Sequence, residues 1–239
     1  MLSEREDALF ARWRINQPAF VSDGVVDSDA YLTSTPKLLF LLKEVNDPGP
    51  RGGGWCLRAF LRGEEGGRSK TWDNITRWTR AIRRLPDEMA WEELNKPVTP
   101  AQRREVLRSI AAVNLKKVPG GAETDEQAFW TAVQKDAQYV RGQFELYEAD
   151  LVVCCGALVR NAFDTFIKPS YVGPWRSTFR GVEYLEYSPR KFVIAYSHPQ
   201  ARVAPNILHF GLVDAIRELR DNFDESPALA PTARNVMTR

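Results

Sequence analysis

Five consecutive apolar residues, Leu38-Leu39-Phe40-Leu41-Leu42, run into Lys43-Glu44-Val45-Asn46-Asp47-Pro48-Gly49. A run that short, apolar at every position rather than at every second one, fits a strand buried on both faces. Pro48 has no N–H for a ladder and holds Asp47 extended, so the strand must turn here. A strand buried on both faces needs helices above and below it, which makes the chain an α/β protein. Open α/β sheets place their ligands at the carboxyl ends of the strands. Glu44, Asn46 and Asp47, side chains able to move protons or orient water, stand at such an end. We therefore read this turn as half of an active site.

Three more apolar runs of strand length follow, at 109–115 (SIAAVNL), 151–155 (LVVCC) and 192–196 (FVIAY). Helical patterns alternate with them. Trp72, Ile75, Trp78, Thr79, Ile82 and Leu85 recur on one helix face, as do Phe129, Val133, Ala137, Val140, Phe144 and Tyr147 in a helix expected over about 124–147. Thr99-Pro100 is an N-cap and first-turn pair for a helix over about 101–109. Other helices are expected over 3–15, where Ser3 and Glu6 fit a capping box, over 157–166 and over 206–223. Residues 17–36 and 86–100 are polar, carry prolines and read as connections, and 168–190 as a small hairpin. Strands alternating with helices predict a three-layer α/β/α sandwich around a central four-stranded parallel sheet. The chain reads as a single domain over 1–223, with an N-terminal helical extension at about 1–36 and a disordered tail at 224–239.

A formal charge of +2 permits a local DNA-binding patch without the basic excess of a protein that coats nucleic acid. Cys56, Cys154 and Cys155 have no metal-ligand spacing, so we expect no metal and no cofactor. The odd cysteine count and the start MLSEREDALF, which lacks a leader, suggest a reducing compartment. No apolar run reaches membrane-spanning length, and the expectation is a cytoplasmic protein without a membrane partner. The stretch 49–55, GPRGGGW, has no G-K-[ST] after it and is not a phosphate loop. It reads either as a floppy surface loop or as a mobile lip of the pocket.

Parallel strands bring their carboxyl ends to one edge of the sheet. There the first strand would present Glu44, Asn46 and Asp47, the second Asn114, and the fourth Ser197-His198-Pro199-Gln200. In this order of pieces the chain resembles the uracil-DNA glycosylase superfamily. Members carry a motif such as G-Q-D-P-Y, G-E-x-P-G or G-x-N-P-G after the first buried strand, a base-reading Asn ending a middle strand, and H-P-S after the last. The run 149–156 (ADLVVCCG) looks like the family's third strand with its closing glycine, and 198–219 like its minor-groove loop and the helix behind. The likeness spans about 37–220; the order of the pieces is more specific than any one motif.

The resemblance implies a monomeric, monofunctional DNA glycosylase that flips out a base and hydrolyses its N-glycosidic bond, leaving an abasic site. Asn114 would read the Watson–Crick edge of the base. His198 would stabilise the charge that develops on O2 of the departing base. One of Glu44, Asn46 and Asp47 would position or activate the attacking water, with Val45 and Gly49 beside the base. The loop from Gln200 to Asn206 would enter the minor groove, with Pro199, Gln200, Arg202 and Asn206 against DNA, and Lys116 and Lys117 would meet phosphates. No lysine suggests Schiff-base chemistry.

The first motif aligns in two ways. Matching strand ends puts Glu44 on the family's Gln or Glu; matching Asp-Pro puts Asp47-Pro48 on the family's own. Gln200 stands where the family has Ser. Neither alignment leaves an aromatic gate against a C5 substituent, so the implied substrate is uracil or a C5-modified pyrimidine. Such bases occur in bacteriophage DNA, which sets defence against phage beside DNA repair as the biological role. The competing reading is a non-catalytic DNA- or nucleotide-binding module on the same fold.

Overall fold

All five residues of the 38–42 run are buried, in a strand paired on both sides. The computed structural model describes residues 1–47, 52–64, 66–67, 70–121, 123 and 125–224, and of 221–224 the backbone alone. In chain order the elements are α1 (Leu2–Trp13), β1 (Gly24–Val25), α2 (Ser28–Leu32), β2 (Leu38–Leu42), α3 (Leu57–Arg62), α4 (Lys70–Arg84), α5 (Trp91–Leu94) and α6 (Pro100–Leu107). Then come β3 (Ile110–Asn114), α7 (Glu126–Tyr147), β4 (Leu151–Cys155), α8 (Ala157–Ala162) with a π-helical turn at Phe163–Ile167, β5 (Arg176–Ser177), β6 (Glu183–Ser188), β7 (Lys191–Tyr196) and α9 (Pro205–Asp224).

The strands form one sheet in the order β1-β3-β2-β4-β7-β6-β5. β3, β2, β4 and β7 are the four apolar runs, and they pair in parallel. The expected four-stranded parallel sheet is nevertheless corrected to a seven-stranded mixed one. β1 joins antiparallel at one edge, and β6 and β5 extend the other edge antiparallel. These additions lie in 17–36 and 168–190. β1 and β5 are two residues long, too short to show any alternation.

Helices cover both faces. Leu38, Phe40 and Leu42 pack with Trp78 of α4 and Leu212 and Ile216 of α9. Leu39 and Leu41 pack with Phe10 of α1 and Phe129 and Phe144 of α7. Phe40 stacks on Trp78 with ring centroids 6.4 Å apart, and truncating such a core aromatic costs about 3–5 kcal/mol. Thr99 caps α6 as expected, and Asp125 caps α7. Glu6 does not serve a capping box with Ser3. Helix α1 begins at Leu2, and Glu6 turns inward, buried, to accept from the Tyr147 hydroxyl at 2.6 Å and Val25 N at 3.0 Å. Among the described residues no helix is long and apolar enough to cross a membrane. The tail expectation falls, from residue 225 on, outside the described residues; Asp224 is the last residue of α9.

Candidate active site

The parallel register sets Leu42 beside Asn114 at the carboxyl edge of the sheet. Pairing continues past the strands: Leu115 N donates to Leu42 O, Lys116 N to Lys43 O and Gly120 N to Val45 O, each at 2.9 Å. The segments 43–47 and 115–120 therefore leave the sheet side by side, and Glu44 faces Lys116. Lys116 Nζ lies 2.5 Å from Glu44 Oε2, and the carboxylate side chain is only 5% exposed. Gly120 makes room for it, since a Cβ there would fall 2.5 Å from the Glu44 carboxyl carbon.

Asp47 does different work. Its Oδ2 accepts from Gly53 N and from Trp55 Nε1, both at 2.9 Å. The Gly53 N–H, and the Trp55 indole after it, hold this carboxyl below the ordinary range. Residues 52–55 are thus tied to the first motif rather than floppy, and Trp55 is fixed over the pocket beside Phe60, ring centroids 5.7 Å apart. Asn46 is exposed next to Asp47, and Val45 packs against the core. Gly49 lies outside the described residues.

His198 follows β7 on a constrained turn. Gln200 N donates to His198 Nδ1 at 3.1 Å, so the neutral ring carries its proton on Nε2 and can donate from there. Burial, and the Lys43 charge after it, pull the imidazole below its usual value. The turn is anchored from α4, where Asn74 Nδ2 donates to Pro199 O at 2.6 Å.

Asn114 ends β3 and is 3% exposed. Its backbone N donates to Asp23 Oδ2 at 2.7 Å, and its side-chain Nδ2 approaches the same oxygen at 3.4 Å. Asp23 also takes Lys117 Nζ at 2.6 Å and Gln143 Nε2 at 2.9 Å. Burial lowers the Lys117 ammonium while Asp23 pulls it back up.

Glu44, Val45, Asn46, Asp47, Asn114, His198 and Gln200 all line one cavity of about 620 Å³. A ligand of nucleoside size fits within the range of such pockets. Trp55, Phe60, Thr71 and Trp72 complete its wall. Trp55 closes the stretch read either as a floppy loop or as a lip of the pocket, whereas Phe60, Thr71 and Trp72 carry no site signal in the sequence; Trp72 sits in an ordinary core pattern of α4, and only the fold shows that it reaches the cavity. Among the described residues no cluster of three or more His, Cys, Asp or Glu could hold a metal ion.

The expected DNA contacts divide. Gln200, Arg202 and Asn206 are exposed, Asn206 in the first turn of α9 rather than in a loop. Val203 and Ile207 beside them are 40% and 63% exposed. Lys117 and Pro199 are corrected as direct contacts, because both are buried: the Lys117 ammonium is spent on Asp23 and Gln143. Lys116 is mostly buried against Glu44. No family model and no curated protein matches the chain.

Proposed function

We propose that this protein is a monofunctional DNA glycosylase acting on uracil or a C5-modified pyrimidine. The observation that carries this reading is the convergence of Glu44, Asn114 and His198, from three separate strand ends, on one aromatic-walled cavity. In the reaction a water oxygen bonds to C1′ and the C1′–N1 bond breaks. Its electron pair leaves on the base, and the proton that the water loses ends on the departed base, which is released neutral. The Nε2–H of His198 suits the negative charge growing on the base oxygen. The Glu44 carboxylate, paired with Lys116, suits a water and the positive charge growing on the sugar. Asn114 supplies hydrogen bonds to the base edge. The exposed strip from Gln200 to Ile207, with Arg202 and two apolar side chains, suits a DNA groove.

One observation favours the second reading, a binding module: both carboxylates of the first motif already have partners, Glu44 in Lys116 and Asp47 in Gly53 and Trp55. Incubation with duplexes carrying uracil, mismatched thymine, or hydroxymethylated or glucosylated cytosine separates the two. Alkali-labile abasic sites support the glycosylase; tight binding without them supports the module.

A further inference from the structure

A second cleft, of about 440 Å³, opens on the sheet edge beside the cavity. It is lined by Gly181, Val182 and Glu183 of the turn between β5 and β6, and by Gly156, Tyr196 and Ser197 at the ends of β4 and β7. β6 runs antiparallel to β7, with Tyr184 opposite Ile194, so the turn before β6 comes to the carboxyl end of β7. His198, which lines the cavity, directly follows Ser197. The turn and the cavity therefore share one edge of the sheet. The turn itself is rigid. Thr178 N donates to Val182 O and Gly181 N to Thr178 O, each at 2.9 Å, and Val182 N donates to the Thr178 hydroxyl at 3.0 Å. Helix α9 holds it from the side: both Glu218 carboxylate oxygens accept from Phe179 N at 2.9 Å, and Asp214 Oδ2 meets Arg180 Nη1 at 2.9 Å.

On this fixed backbone Phe179 is 97% exposed, more than any other large apolar side chain among the described residues. A lone apolar side chain in water is ordinary. Phe179 differs in its setting: its backbone is held, it stands on the edge that carries the cavity, and arginines flank it. Arg176 on β5 is exposed, and the Arg180 side chain is 64% exposed despite its ion pair. The carboxylates nearby are already engaged, Glu218 by Phe179 N, Asp214 by Arg180 and Arg217, and Glu183 by Arg160. An aromatic ring between cations suits a nucleic-acid strand, because every base offers a face for stacking and guanidinium groups match phosphates. The turn lies one to two strands beyond β7. At about 4.8 Å per strand and about 3.4 Å per nucleotide, it would meet a base roughly two to three steps from the flipped one.

We propose that the turn from Thr178 to Val182 is a second DNA contact, in which Phe179 stacks on a base beside the flipped nucleotide while Arg176 and Arg180 take phosphates. The proposal rests on the reading of this protein as one that acts on DNA, and it adds a contact that the strip from Gln200 to Ile207 does not supply. The test is equilibrium binding of the full chain to a duplex with a tetrahydrofuran abasic analogue and 2-aminopurine placed at successive positions on either side of it. The wild type and Phe179→Tyr should change the 2-aminopurine fluorescence at one position roughly two to three steps from the analogue. Phe179→Ser should lose that change and bind roughly five- to a hundredfold more weakly. Its melting temperature should not move, because the ring lies in water. A Phe179→Ser variant with the affinity and fluorescence profile of the wild type overturns the proposal, and so does a wild type that binds without any such change. A wild type that does not bind this duplex at all overturns the proposal together with the DNA reading. The expected signal from a wild type that releases no base from any duplex would remove the glycosylase reading and leave this contact standing.

Discussion

Lys116 Nζ sits 2.5 Å from Oε2 of Glu44, a residue that lines the cavity, in a pair made possible by the missing Cβ of Gly120. The ion pair aims the Glu44 carboxylate. Glu44→Gln should lower the single-turnover rate of base release by about 10²–10⁴-fold, with binding of a non-hydrolysable analogue unchanged. Lys116→Met should give a smaller loss of rate. Equal loss of rate and of analogue binding in Glu44→Gln would make this residue a binding group instead.

Much of this was legible in the sequence, for identifiable reasons. Strands β2, β3, β4 and β7 are buried on both faces, and that burial leaves unbroken apolar runs. Glu44, Asn114 and His198 follow three of these strands at their carboxyl ends, so parallel pairing brings them to one cavity. Strands β1 and β5 were not legible, since two residues carry no period. Asp23 was not legible either. It precedes a glycine in a polar segment, as turn residues do, and its partner Asn114 is 91 residues away. Lys117 looks like half of a basic pair with Lys116, yet the turn after β3 sends one inward to Asp23 and the other to Glu44.

The His198 imidazole is held below its usual value by burial and by Lys43, and Gln200 N–H points at its unprotonated Nδ1. Acid must both charge this ring and break that hydrogen bond. The midpoint of the acid limb of kcat/KM for base release should therefore lie below the ordinary imidazole value of about 6.5. A profile already halved at pH 6.5 would show an unperturbed histidine.

His209 on α9 is 3% exposed, packs on Trp91, and has no hydrogen-bond partner at either ring nitrogen among the described residues. Burial pulls its pKa down from 6.5 to about 4. The folded state then binds fewer protons than the unfolded one between those values. Stability is full above pH 6.5 and is lost as pH falls toward 4, by roughly 3 kcal/mol at most. Urea midpoints measured from pH 7 to pH 4 should fall less steeply in His209→Leu than in the wild type. Parallel curves would exclude His209 as the cause.

Arg202 is exposed in the strip that follows His198. As a phosphate contact it should contribute about one unit to the slope of log affinity against log salt. Arg202→Ala should weaken binding to all duplexes alike and reduce that slope by about that amount. An unchanged slope would take Arg202 off the DNA.

The central claim is that the cavity cuts a base from DNA, with Asn114 reading that base. The most direct measurement is single-turnover formation of alkali-labile sites in a uracil-containing duplex, by the wild type and by Asn114→Ala. The account predicts strand breaks at the uracil with the wild type and their loss in the variant, with the variant still folded. Intact strands with the wild type, on uracil and on the modified bases alike while the DNA stays bound, would contradict it and leave a module that binds without cutting.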